Sequence, residues 1–209
     1  MLGLLAVQVV GCGLFKPATP EAGVGGAVMI PDYSVAESCL HYMQVGIERK
    51  DVPGQDAYLG ALADTTTDGI GFHAFFDEEV WRAYAGADKP ADWDLRHEAQ
   101  FLSVFLRSYG DPYEMKWLQD EVHPYDDTPP DVDHRILHRR YEVRALRQRT
   151  ADTLLIAVGY ADLYFARISA SRWVLYRWQD RLDHVVGAQP KDPDQQTFGS
   201  RRLNAGAGG

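Results

Sequence analysis

Apolar residues recur along this chain first at helical spacing and then in alternation, so helices are expected in its first half and strands in its second. Val35, Cys39, Met43 and Ile47, with Ala36 and Leu40 beside them, form one apolar stripe. Ser34-Val35-Ala36-Glu37 matches a capping box, in which the serine takes a free backbone N–H and the glutamate reaches back. A helix is therefore predicted from Ser34 until Asp51-Val52-Pro53-Gly54 breaks it. A shorter helix over 55–63 follows. Next comes a strand over 69–76, with Ile70, Phe72 and Ala74 on one face and His73 and Phe75 on the other. A third helix over 94–107 buries Leu95, Leu102, Phe105 and Leu106 and carries Phe101 at its margin.

The character changes after the turn signal Tyr109-Gly110-Asp111-Pro112. Segments 115–122, 136–148, 154–168 and 173–182 are β-branched or aromatic and read as strands. Ser169-Ala170-Ser171-Arg172 is short enough for a hairpin link. Segment 123–134 holds Pro124, Pro129, Pro130 and several aspartates, which predicts an exposed loop. Strict alternation would separate Trp173 and Leu175 from Trp178 and Asp180, and a bulge near Tyr176 or Arg177 would reunite them. Beyond Asp183, Gly, Pro, Asp and Gln predict a disordered tail with one short contact at 197–203.

At 209 residues the chain can build one core, a domain of ~150 residues burying roughly 70% of its unfolded surface. The net charge of -9 argues against nucleic acid as a partner, because a phosphate backbone demands a basic face. Acidic residues crowd between Asp111 and Asp133, and arginines follow from Arg135 to Arg149. This asymmetry suits pairing between neighbouring strands, with a steering patch for a charged ligand as the alternative. Phosphate-binding, dinucleotide-binding and serine-hydrolase motifs are absent, so no cofactor is expected.

The apolar run from Leu2 to Val10 is too short to span a bilayer, because as a helix it reaches ~14 Å against a ~30 Å hydrocarbon core. Its closing residues, Val9-Val10-Gly11-Cys12, resemble the lipobox of bacterial lipoproteins, although no basic residue precedes the run. The resemblance implies a signal peptide over 1–12, a diacylglycerol on Cys12 and a flexible tether over 13–33. It also implies a place in the bacterial cell envelope. Gly13 stands where inner-membrane retention uses aspartate, which implies anchoring in the outer membrane facing the periplasm. Once Cys12 is acylated, Cys39 has no disulfide partner and is expected to be buried.

Trp93-Asp94 followed by Glu98, the run from Trp173 to Asp180, and Thr197-Phe198-Gly199 resemble small lipoproteins of the nuclear transport factor-like, or SnoaL-like, superfamily. The resemblance implies a cone-shaped α+β domain over 34–182, with a strongly bent antiparallel sheet packed on three N-terminal helices. Residues 183–209 would then be a largely disordered tail. Enzymes of the superfamily, isomerases and dehydratases among them, place carboxylates or histidines in the cone pocket. Relatives without chemistry bind there, or close the pocket and dimerise through the sheet.

Asp162, between Tyr160 and Tyr164, faces the core or, if Ala157, Gly159 and Ala161 lie under the helices, faces water. His73 is either a base reaching the cavity or a structural histidine. Asp180 suits a turn or salt bridge. Phe72, Tyr160 and Trp178 are candidate ligand-lining residues. His134 and His138 share a face, but the glutamate of a zinc-protease helix is missing and Arg135, Arg139 and Arg140 disfavour a dication, so no metal is expected. The sequence favours a lipid-anchored, non-catalytic domain that binds a small apolar ligand or a protein partner. The alternative is an isomerase- or dehydratase-like enzyme with Asp162 or His73 as base, and a homodimer through the sheet is a third reading.

Overall fold

The structure is a computed structural model and describes residues 30–83, 92–127, 132–147, 152–181 and 196–206. Cys12 and the greater part of the tether lie outside these residues. Among the described residues no helix is long and apolar enough to cross a membrane.

Helix α1 (Ala36–Arg49) buries Ala36, Cys39, Leu40, Met43 and Ile47, the stripe expected from the sequence without Val35, which is exposed. Its start differs from the expected box. The Ser34 N–H is taken by Asp32 Oδ1 at 2.9 Å, and Ser38 closes the first turn by donating its hydroxyl to the Val35 carbonyl at 2.8 Å. Lys50, in the left-handed region at φ 60°, ends the helix. Helix α2 (Val52–Gly60) begins at once, so the segment expected to break the first helix does so and also starts the second. Asp51 accepts the Gly54 N–H at 2.8 Å, and Pro53 sits in the first turn, where its missing N–H costs nothing. The two helices approach closely at Gly46, where a Cβ would lie 2.6 Å from that of Tyr58.

The short helix α3 (Thr65–Asp68), strand β1 (His73–Phe75) and the short helix α4 (Glu78–Ala83) lead to α5 (Leu95–Phe105). Asp94 caps α5 by accepting the His97 N–H at 2.9 Å. Phe101, expected at the margin of that helix, is buried. Strands β2 (Gly110–Gln119), β3 (His134–Leu146), β4 (Thr153–Ser169) and β5 (Arg172–Arg181) follow, and α6 (Phe198–Gly206) is the last element among the described residues.

The sheet runs β1-β5-β4-β3-β2, antiparallel from β5 to β2. Strand β1 adds a parallel edge to the expected antiparallel sheet, His73 pairing with Arg177. Parallel pairing needs a long crossover, and three strands and α5 separate these two in sequence. Tyr164 pairs with Arg177 and Phe165 with Leu175, which leaves Tyr176 as the extra residue of a bulge. Leu175, Trp178 and Asp180 consequently all point into the interior. Ala157, Gly159 and Ala161 lie on this inner face, packed under the helices, and the alternate residues of β4 form the outer face. Cys39 is wholly buried, and burial pushes its thiol up to about 12.

The contact expected at 197–203 is more extensive than the sequence suggests: segment 196–206 includes α6, and Phe198, Arg202 and Leu203 are buried. Phe198 joins the hydrophobic core from beyond residue 182.

Candidate functional site

Two polar clusters stand on opposite faces of the sheet. The inner one lies inside the cone. Glu98 is fully buried; Tyr58 Oη and Trp93 Nε1 each donate to it at 2.7 Å, and Arg202 Nε and Nη2 each donate at 2.8 Å. Each carboxylate oxygen thus accepts two bonds, close to the ~four that a carboxylate can take. Arg202 lies 4.3 Å over the Trp178 ring, which adds a cation–π contact. Burial works against its charge, but the Glu98 carboxylate outweighs that and holds the guanidinium ionised. Burial, reinforced by Glu98, pushes the Tyr58 phenol well above its ordinary range.

Asp180 is the second buried carboxylate. Tyr141 Oη donates to it at 2.6 Å and the Gly199 N–H at 2.8 Å, while the Phe198 N–H donates to the same Tyr141 oxygen at 2.9 Å. Burial raises the Asp180 carboxyl above the usual range despite these bonds. The expected salt-bridge or turn role becomes the anchoring of α6. Phe198 fills the space between Phe101, Phe105, Tyr141 and Trp178. A general base needs a free lone pair facing room for substrate, whereas the Glu98 and Asp180 oxygens already serve the protein's own donors.

The outer cluster joins β3, β4, β5 and the loop after β2. His138 Nδ1 stands 2.7 Å from Asp162 Oδ1, and Arg181 is 2.9 Å from the same oxygen. Arg181 also reaches Asp120 Oδ2 at 2.5 Å and His123 Nδ1 at 3.2 Å. Burial opposes the Asp120 charge, but the His123 N–H, the Arg181 guanidinium and the Val122 N–H together hold its carboxyl below the usual range. Asp126 pairs with Arg139 through both guanidinium nitrogens. The acidic segment therefore meets the arginines partly by folding its loop onto the sheet, not only by cross-strand pairing.

The sequence candidates scatter. Asp162 lies on the outer face, tied to His138 and Arg181, so it does not enter the cone. His73 is half-buried on the edge strand, with Nδ1 2.8 Å from Asp92 Oδ1. Phe72 and Trp178 are packed in the core, and Tyr160 is buried on the outer face with the Arg181 guanidinium 5.6 Å over its ring. His134 stays apart from the cluster that His138 joins. Sequence reasoning missed Glu98 and Arg202 as partners, because each has charged or polar neighbours in sequence and 104 residues separate them. It also missed His123 and Asp120, which reach the sheet only through the fold of their loop.

Neither a known family model nor a curated protein matches the sequence. Solved structures do share the fold. A function-unknown protein from Mycobacterium tuberculosis superposes with a TM-score of 0.54 at 11% identity, covering 82% of this chain and 85% of that one. ActVI-ORFA from Streptomyces coelicolor gives 0.50 at 9% identity, over 71% and 95% of the two chains. A candidate scytalone dehydratase from Novosphingobium aromaticivorans gives 0.50 at 5% identity, over 73% and 92%. The architecture is that of the nuclear transport factor-like cone, an α+β fold with a curved sheet wrapped on helices.

Proposed function

We propose that this chain is a non-catalytic, lipid-anchored domain of the bacterial cell envelope that docks a protein partner on the outer face of its sheet. The observation that carries this reading is the seating of Arg202 and Phe198 inside the cone, where the enzymes of such a fold need room for substrate. The same packing favours a protein partner over a small apolar ligand. On the outer face, the Arg177 guanidinium lies 4.5 Å over the Phe75 ring and 4.8 Å over the Tyr164 ring. Arginine and aromatic side chains are the residues enriched at interface hot spots, and Phe75 is 46% exposed. The envelope address rests on the lipobox resemblance ending at Cys12.

The dehydratase-like alternative draws on the scytalone dehydratase candidate among the structures of this fold. It needs a base inside the cone, whereas Asp162 and His73 both lie elsewhere. Site-specific photo-crosslinking in cells separates the readings. A crosslinker at Phe75 should trap one discrete envelope partner, and one at Val52, exposed at the start of α2, should not. A crosslink from Val52 alone, or none from Phe75, would overturn the outer-face reading.

A further inference from the structure

His123, His138 and Asp162 come from three separate elements, yet their potential ligand atoms lie within 4.8 Å of one another. We propose that they form a binding site for a divalent transition metal, zinc being the ion whose chemistry fits. Two imidazole nitrogens and one carboxylate oxygen are the donor set of zinc sites that keep a fourth position for water. Imidazole donors select against calcium and magnesium, which take oxygen ligands.

Lone-pair direction supports the site. A guanidinium only donates, so the 3.2 Å contact from Arg181 Nη1 means that His123 Nδ1 presents its lone pair to the cluster. The Asp162 oxygen faces the same guanidinium at 2.9 Å. Arg181 thus stands where lone pairs from two ligands already converge on a positive charge. When zinc enters, Arg181 can release these two and keep Asp120, which it holds at 2.5 Å.

Outer-shell contacts and charge agree. Asp127 Oδ2 lies 3.4 Å from His138 Nε2, placed to accept that N–H while Nδ1 binds metal. Zinc takes the place of the proton between His138 Nδ1 and Asp162, and the neutral imidazole then carries its single proton on Nε2, facing Asp127, so no net proton is released by this residue. Asp120, Asp126, Asp127 and Asp162 bring four negative charges against two positive ones from Arg139 and Arg181, leaving two for a dication. His138 and Asp162 are 11% and 16% exposed on paired strands, while His123, 52% exposed, opens the fourth position to water.

The test uses the full chain freed of metal, titrated with zinc chloride against a chromophoric chelator and, in parallel, with cobalt(II) read by visible absorption. One equivalent should bind, and the cobalt spectrum should show tetrahedral nitrogen and oxygen ligation without the sulfur charge-transfer band that a cysteine site gives. His123→Ala, in an exposed loop, and His138→Ala should each weaken binding more than about tenfold. Arg181→Gln, which removes the competing guanidinium, should tighten it. Absence of stoichiometric binding, a sulfur-ligated spectrum, or affinity unchanged in both histidine variants would each overturn the proposal.

Discussion

Arg202 on α6 grips Glu98 on α5 with two parallel hydrogen bonds of 2.8 Å across 104 residues of sequence, and both side chains are fully buried. Such a pair adds little net stability over well-packed apolar residues, but losing one partner strands the other charge. Arg202→Met is therefore expected to cost about 3–5 kcal/mol, measured by urea unfolding. Adding Glu98→Gln should cost less than the sum of the two single changes, because the stranded carboxylate is gone.

Gly199 has no room for a side chain. A Cβ there would lie 2.6 Å from Asp180 Oδ2, the oxygen that accepts the Gly199 N–H at 2.8 Å. Gly199→Ala should destabilise by about 1–3 kcal/mol through overpacking, visible as a lower melting temperature. The same change should raise hydrogen exchange in α6 before it does so in β3 or β4.

Acid should loosen the loop after β2. Asp120 and Asp126 are both held below their ordinary value of 3.8; in each case burial opposes the charge, and hydrogen bonds from arginine and backbone outweigh it. The folded state therefore binds protons less readily than the unfolded one. Their stabilisation is complete above the unfolded value and is lost as pH falls through the folded values. Asp120→Asn should flatten the fall of unfolding free energy below about pH 4. Asp180, shifted upward by burial, acts with the opposite sign: its ionisation lowers stability as pH rises through its folded value.

Cys39 should behave as a buried hydrophobe. Its Sγ donates to the Trp173 carbonyl at 3.3 Å, and burial holds the thiol protonated. In a Cys12→Ser chain, a chromogenic disulfide reagent should find no reactive thiol until denaturant is added, and then one.

Much of the architecture was legible because it depends on local pattern. The stripe through Cys39, Met43 and Ile47 marked α1, and the conflict between Leu175 and Trp178 required the bulge that falls at Tyr176. What escaped was non-local. Arg202 lies in a segment of polar and small residues whose helix gains its stability from packing rather than propensity, so composition suggested a loose tail. Asp162 lies opposite the small face of β4, one of the two placements that its spacing allowed, but His123, within 4.8 Å of it, arrives by a loop whose fold no spacing rule encodes. His73 alternates properly on its strand, yet that strand is the sheet edge, which alternation cannot reveal.

Among the described residues Phe198 and Arg202 take up space inside the cone, and binding of an apolar probe tests most directly whether a ligand can share it. Anilinonaphthalene sulfonate titrated into the intact chain should give no saturable one-to-one fluorescence change, whereas Phe198→Ala, which vacates a ring site beside Trp178, should bind a small aromatic ligand such as benzene. Saturable stoichiometric binding of the probe by the intact chain would contradict the account, returning the cone to the role of a ligand or substrate pocket.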